Sequence, residues 1–184
     1  MSSMEQLYQQ LILDHAKSPH GKGLTDGHAA ESFQVNPTCG DEVRLRVHLA
    51  EGADPAQIDR VSWEGQGCSI SQASISVMSE LVEGVPVPSA EVLGETFRAL
   101  MRARGEGLEE EAEDRLGDAT AFTGVARYPA RIKCALLGWA ALRDALAQSG
   151  ALDLPGQEST PAPASPVPAA SVGTDPATPQ EDHA

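Results

Sequence analysis

The chain has 184 residues, of which 41% are apolar and 22% are charged, and its formal net charge is -14 at pH 7. This length is enough for one domain with its own hydrophobic core. Because so acidic a surface repels phosphate backbones, the composition argues against nucleic-acid binding and favours a basic protein partner.

The composition divides the sequence near residue 150. Residues 151–184 are rich in Pro, Ala, Ser, Thr and Gly, and they contain acidic residues but no Lys or Arg. We therefore expect a folded domain over residues 1–150 and a disordered acidic tail over residues 151–184. No segment approaches the roughly 20 apolar residues that span a bilayer, and the N-terminal residues lack a signal-peptide pattern. We expect a cytoplasmic protein without membrane association, whose thiols stay reduced.

Apolar residues at helical spacing predict a first helix over residues 4–15, with Ser3 as its N-cap. This helix should end before Ser18-Pro19, and a loop should follow over residues 20–30. Two stretches with an apolar residue at every second position then predict half-buried strands. The alternating residues are Phe33 and Val35 in the first strand, and Val43, Leu45, Val47 and Leu49 in the second.

A third strand is predicted from Ile58 to Trp63, and it leads into Gly65-Gln66-Gly67-Cys68. Residues at helical spacing follow Cys68, so this cysteine should lie where a strand becomes a helix. Backbone N-H groups at such a junction point at the thiol. A further helix is predicted over residues 88–104.

The last predicted helix covers residues 129–148, begins at a proline suited to a first helical turn and ends before Gly150. Cys134 then lies in its first or second turn. The acidic run 109–114 precedes this helix. It is most simply the solvated face of a helix, and a role in docking a partner is the open alternative.

The chain contains three cysteines, Cys39, Cys68 and Cys134, and the first stands in Cys39-Gly40-Asp41. An odd number cannot be paired completely as disulfides within one chain. Three thiolates and the Asp41 carboxylate are a complete donor set for tetrahedral zinc. The wide spacing matches no zinc finger, so two alternatives stay open: the cysteines are buried apolar residues, and Asp41 is a turn residue. Positions in a turn and at two helix starts nevertheless favour metal binding or sulfur chemistry.

Two cations, Arg131 and Lys133, precede Cys134 in the last predicted helix. Cations near a helix N-terminus oppose the macrodipole, at a cost of about a few tenths of a kcal/mol. An anionic site nearby would compensate them, and Zn²⁺ with three thiolates and one carboxylate carries a formal charge of about -2. The alternative is that both basic side chains are simply solvated.

Taken together, these motifs resemble the U-type iron-sulfur cluster assembly family, and more narrowly its SufU branch. The resemblance covers roughly residues 4–148. It rests on the segments Leu7 to His15, Asn36 to Asp41, Gly65 to Ser71 and Arg131 to Cys134.

The resemblance implies an α+β fold, in which a small, mainly antiparallel three-stranded sheet packs against several helices. It implies Zn²⁺ bound by Cys39, Asp41, Cys68 and Cys134. The implied enzyme activity is sulfur transfer: a PLP-dependent, SufS-like cysteine desulfurase makes a persulfide, and Cys39 accepts its terminal sulfur after a histidine of the desulfurase replaces Cys39 on zinc. Arg131 is expected to steady the site by charge or hydrogen bonding. A SufBCD-type assembly complex is a further candidate partner.

The sequence departs from the IscU branch of the same family. Lys133 stands where IscU-type scaffolds carry a His, their Leu-Pro-Pro-Val-Lys motif is absent, and the stretch between Cys68 and Cys134 is longer. These departures favour the sulfurtransferase. The main alternative is a scaffold that assembles a transient [2Fe-2S] cluster on the same ligands and passes it to apo-proteins. A third interpretation makes the zinc purely structural.

Overall fold

The computed structural model describes residues 2–152. In this part of the chain, one antiparallel sheet of three strands, which pair in chain order, is accompanied by five α-helices and one 3-10 segment. The predicted α+β fold with a three-stranded antiparallel sheet is confirmed. The predicted tail lies outside the described residues, except for its first two positions. The elements are α1 (Ser3–Lys17), β1 (Ala30–Val35), β2 (Glu42–Leu49), β3 (Ile58–Gln66), α2 (Ser69–Val82), α3 (Val87–Arg102), α4 (Glu110–Leu116), the 3-10 segment (Gly117–Arg127) and α5 (Pro129–Gln148).

The inner face of the sheet forms one side of the core. Val43, Leu45 and Val47 on β2 alternate with more exposed residues, as predicted, and their side chains are fully buried. Trp63 on β3 pairs with Leu45 and is buried as well. α5 packs across β1 and β2. This packing places the first turns of α5 beside the connection between these two strands.

α2 and α5 approach each other closely in the core. A Cβ added at Gly138, in the middle of α5, would lie 2.6 Å from Cγ1 and 3.3 Å from Cβ of Ile75 on α2. Glycine in a helix interior costs about 1 kcal/mol relative to alanine, so this approach is the physical reason for the glycine. The Ser74 hydroxyl of α2 also donates to the carbonyl oxygen of Ala135 at 2.6 Å. The helix that follows Cys68 is therefore fixed against the helix that contains Cys134.

The first helix is capped one residue earlier than predicted, by Ser2 instead of Ser3. The Ser2 hydroxyl accepts a hydrogen bond from the Glu5 N-H at 3.2 Å, and the Glu5 carboxylate accepts one from the Ser2 N-H at 2.8 Å. This reciprocal pair is a capping box, which needs a Glu three residues after the cap. α1 ends at Lys17, before Ser18-Pro19 as predicted.

The two large apolar side chains of β1 lie on the face of the sheet away from the core. Phe33 and Val35 are 51% and 47% exposed, whereas Ala30 and Ser32 are buried. The Ser32 hydroxyl donates to the Asp144 carboxylate of α5 at 2.6 Å, which sets the inward face of the strand. The strand prediction is confirmed, but its apolar alternation marks the outer face of the sheet.

The segment between α3 and α5 was only partly predicted. The acidic run 109–114 begins α4, and the Glu113 carboxylate accepts the Leu108 N-H at 2.9 Å. The 3-10 segment that follows buries Phe122 and was not predicted from the sequence. Over residues 2–152, the helices are too short or too polar to cross a membrane.

Candidate metal centre

Cys39 lies at the tip of a tight turn between β1 and β2. The Asn36 N-H donates to the Asp41 carbonyl oxygen at 2.7 Å, and the Gly40 N-H donates to the Asn36 carbonyl oxygen at 2.8 Å. Gly40 has a φ of 76°, in the left-handed region that favours glycine. The turn leaves Cys39 exposed and directs Asp41, which is only 5% exposed, into the protein.

Cys134 approaches this turn from α5. It lies in the second turn of the helix and is 5% exposed, and its Sγ lies 3.5 Å from the Sγ of Cys39. Ligand atoms of Cys39, Asp41 and Cys134 all lie within 4.8 Å of one another. Burial, with the neighbouring thiols of Cys39 and Cys68, raises the pKa of Cys134 above its usual value. A thiol in this position needs a cation beside it before it ionises.

The Asp41 carboxylate is buried, and one of its oxygens is not used in a hydrogen bond among residues 2–152. Its Oδ2 is buried and has no hydrogen-bond partner among the described residues. Burial alone would raise the pKa of Asp41, but the Ser71 hydroxyl and the three nearby thiols outweigh it and lower that pKa. A buried carboxylate oxygen such as Oδ2, which has no hydrogen-bond partner among residues 2–152, is suited to bind a cation.

Cys68 stands at the rim of the site. It is the N-cap residue of α2, at the predicted junction between strand and helix, and it is exposed. Its thiol is near enough to affect the pKa values of Asp41 and Cys134, but it lies outside the group within 4.8 Å. The structure therefore assembles three of the four predicted ligands closely and places the fourth beside them.

The two cations before Cys134 point to different neighbours. The Arg131 guanidinium lies 4.8 Å from the centre of the Tyr128 ring. Lys133 extends toward the turn that contains Cys39, with its Nζ 3.3 Å from the Thr38 hydroxyl. Lys133 is thus the cation that contacts the Cys39 turn, and a role of Arg131 at the site stays a prediction.

Two residues of the site were not assigned a role from the sequence. Asn36 is 4% exposed, and its Nδ2 lies 3.8 Å from the Sγ of Cys134. A Cβ added at Gly67 would lie 2.7 Å from Cγ of Asp41. An asparagine before a proline is a signal for a turn, and a glycine before Cys68 is a signal for close approach. Neither signal predicts which residue Asn36 or Gly67 contacts in the folded protein.

This arrangement has the donors for a metal ion. Three thiols and one carboxylate suit zinc, and the same donors can hold a [2Fe-2S] cluster. Because Cys39 and Cys68 are exposed while Cys134 and Asp41 are buried, the site has an inner and an outer half. A partner protein can therefore reach the Cys39 sulfur without disturbing the core.

Proteins of known name are similar to this chain in sequence and in fold. The NifU-like N-terminal domain family matches residues 7–135. The zinc-dependent sulfurtransferase SufU of Bacillus subtilis (strain 168) is 37% identical over 147 residues, which cover 80% of this chain and 94% of that protein. The iron-sulfur cluster assembly scaffold protein IscU of Streptococcus pyogenes serotype M1 is 38% identical over 150 residues, or 81% of this chain and 88% of that protein.

A solved structure supports the same relationship. The crystal structure of a protein from Fervidobacterium islandicum AW-1, described as an iron-sulfur cluster assembly scaffold for the SUF system, is 33% identical and superposes with a TM-score of 0.64. The match covers 79% of this chain and 99% of that one.

Proposed function

The chain belongs to the NifU-like N-terminal domain family of iron-sulfur cluster assembly proteins, and we propose that it is a zinc-dependent sulfurtransferase. It would accept persulfide sulfur from a PLP-dependent cysteine desulfurase. The observation that carries this proposal is the position of Cys39. Cys39 is exposed, and its sulfur lies 3.5 Å from that of the buried Cys134, in a turn that also supplies Asp41.

The residues present fit a zinc ion. Cys39, Asp41, Cys68 and Cys134 would hold it, and the buried Asp41 Oδ2, which lacks a hydrogen-bond partner among residues 2–152, is the oxygen suited to this role. Bound zinc keeps coordinated thiolates ionised at neutral pH. Asp41 is a hard ligand among soft sulfurs, which favours exchange at this site.

Sulfur transfer requires an accessible thiolate. In the proposed step, the Cys39 thiolate attacks the outer sulfur of the desulfurase persulfide and forms a new S-S bond. The original S-S bond breaks, and the desulfurase cysteine leaves as a thiolate. Cys39 then carries the persulfide. Cys134 is 5% exposed and less suited to meet a second protein.

Charged side chains near the turn suit a protein partner. Lys133 reaches the Thr38 hydroxyl next to Cys39, so its ammonium group would lie near the negative charge of the attacking Cys39 thiolate. The surface is acidic as a whole, with a net charge of -14, which favours a desulfurase with a basic docking face. Downstream, the persulfide would pass to an assembly complex of the SufBCD type.

A scaffold function is the second candidate. Its support is the streptococcal relative, which is named an iron-sulfur cluster assembly scaffold and is as similar to this chain as the Bacillus protein. The same donors could hold a [2Fe-2S] cluster between Cys39, Asp41, Cys68 and Cys134.

Metal analysis separates the two candidates. We expect anaerobically purified full-length protein to contain stoichiometric zinc, and we expect excess ferrous iron with sulfide not to replace it. Cys134→Ser, which removes a buried ligand, should lose the zinc. Stable binding of a [2Fe-2S] cluster in place of zinc, seen by its visible absorption, would favour the scaffold instead.

A further inference from the structure

Asn36 touches both halves of the candidate site, although its amide is not one of the proposed ligands. It is the only asparagine of the chain, and it is 4% exposed. Its Oδ1 accepts the Thr38 N-H at 3.1 Å, beside Cys39. Its Nδ2 lies 3.8 Å from the Sγ of Cys134, within hydrogen-bond distance for sulfur. The Asn36 amide therefore contacts the Cys39 turn through its oxygen and the buried Cys134 sulfur through its nitrogen.

The backbone of Asn36 holds the same turn. Its N-H donates to the Asp41 carbonyl oxygen at 2.7 Å, and its carbonyl oxygen accepts the Gly40 N-H at 2.8 Å. These bonds close the turn without any contribution from a metal. Asn36 thus fixes the backbone on both sides of Cys39, and its side chain relates that backbone to α5.

We propose that Asn36 is a positioning residue, which holds the Cys39 turn and the Cys134 sulfur in a fixed position relative to each other. The inference deepens the proposed function and rests on it, because Cys39 would have to detach from the zinc ion to accept sulfur. With Asn36 in place, the turn keeps its shape while Cys39 is detached, and the amide N-H stabilises the charge on the Cys134 thiolate. Side chains that orient ligands in this way typically contribute about 10-fold to 100-fold to metal affinity.

Two substitutions distinguish the role of the amide oxygen from the role of the amide nitrogen. Asn36→Ala removes both contacts. Asn36→Asp keeps an acceptor for the Thr38 N-H but removes the donor to Cys134. The added negative charge of Asp attracts a metal cation, so charge attraction alone would strengthen binding in that variant. Gln34→Ala is the matched control, because the Gln34 amide contacts Ser32 and Asp144 instead of the site.

Metal affinity is the first measurement. Zinc affinity of the full-length protein is measured by competition with a chelating dye, and the thiolate-to-cobalt charge-transfer band is recorded after loading with Co²⁺. We expect zinc affinity to fall about 10-fold to 100-fold in both Asn36 variants, with a shifted cobalt band, and to stay unchanged in Gln34→Ala. If Asn36→Ala folds and binds both metals as the wild type does, the Asn36 side chain has no role and the proposal is wrong.

A second measurement needs no metal. In the metal-free protein, dibromobimane can bridge the Cys39 and Cys134 thiols, whose sulfurs lie 3.5 Å apart. We expect fast bridging in the wild type and in Gln34→Ala, and bridging slowed several-fold in Asn36→Ala. Equal rates in all three proteins would overturn the proposal. This readout also separates the two hypotheses: a wild type that binds no zinc contradicts the proposed function, while the bridging rates still decide the role of Asn36.

Discussion

The sulfurs of Cys39 and Cys134 lie 3.5 Å apart, although 95 residues separate the two cysteines in the sequence. Two elements of the fold bring these cysteines together. The connection between β1 and β2 carries Cys39, and α5 packs across these strands so that its second turn faces the same connection. Cys39 is an exposed residue and Cys134 is a buried one, which suits the two cysteines to different tasks in the proposed sulfur transfer.

Removal of the metal should weaken the fold without unfolding it. The core formed by the sheet, α2 and α5 is built from apolar residues away from the site, such as Leu45, Ile75 and Trp139. With free zinc at about 100 to 1,000 times its dissociation constant, a chelator should lower the free energy of unfolding by about 3 to 4 kcal/mol. Circular dichroism of the chelated protein should stay near native. Loss of the helical signal on chelation would show that the zinc is structural.

Gly67→Ala should impair the site specifically. A Cβ at this position would overlap the Ser71 hydroxyl oxygen and lie 2.7 Å from Cγ of Asp41, so both side chains must move. We expect zinc affinity to fall at least about 10-fold, as for other changes that disturb a metal ligand. Gly124→Ala is the matched control, because a Cβ there meets no atom within 4 Å. Equal zinc affinity in the two variants would show that Asp41 is not a ligand in this position.

Gly138→Ala should destabilise the protein through the contact between α2 and α5. The new methyl group would overlap Cγ1 of Ile75, and the cost of overpacking exceeds the gain in helix propensity, for a net loss of about 1 to 2 kcal/mol. Gly94→Ala in α3 is the matched control. Its Cβ would meet Trp139 at an ordinary 3.5 Å, so this variant should gain up to about 1 kcal/mol. Urea unfolding measures both, and a stabilised Gly138→Ala would contradict the close packing.

Protonation of His48 should destabilise the protein at mildly acidic pH. His48 is buried, and its Nε2 lies 3.0 Å from the hydroxyl oxygens of Thr25 and Ser62. Burial, with the charges of Arg60 and His28, lowers the pKa of His48, although the Gly27 backbone and Asp59 act in the opposite direction. The unfolded chain then binds a proton more readily, so stability falls as the pH decreases from about 6.5 toward the lower pKa of the folded state.

A pH series of unfolding curves tests this effect. The difference in stability between the wild type and His48→Gln should change over that pH window and stay constant above it. A difference that is independent of pH from 7 downward would show that His48 is not a source of the pH dependence.

Much of the fold could be predicted from local patterns. β2 alternates apolar and polar residues because one face is buried, and α5 begins at Pro129 and ends before Gly150 through ordinary terminal signals. β1 was harder, because the Ser32 contact with Asp144 turns Phe33 outward, and a pattern of alternation does not say which face is inside. The 3-10 segment has no period that the sequence could reveal.

The candidate site, like the fold, could be predicted from the sequence only in part. The donor types of Cys39, Asp41, Cys68 and Cys134 are visible in the sequence, and the structure brings three of them close together. The contacts of Asn36 with Cys134 and of Gly67 with Asp41 join separate elements. Such contacts depend on how the sheet, α2 and α5 pack, so a single sequence contains no local signal for them.

The most direct test of the central claim is to locate the transferred sulfur. Zinc-loaded full-length protein is incubated with a SufS-like cysteine desulfurase and cysteine, and sulfane sulfur is mapped to individual cysteines by mass spectrometry. Sulfur transfer at this site predicts one added sulfur on Cys39, and loss of desulfurase stimulation in Cys39→Ser. Absence of sulfur on Cys39, together with full stimulation by Cys39→Ser, would contradict it.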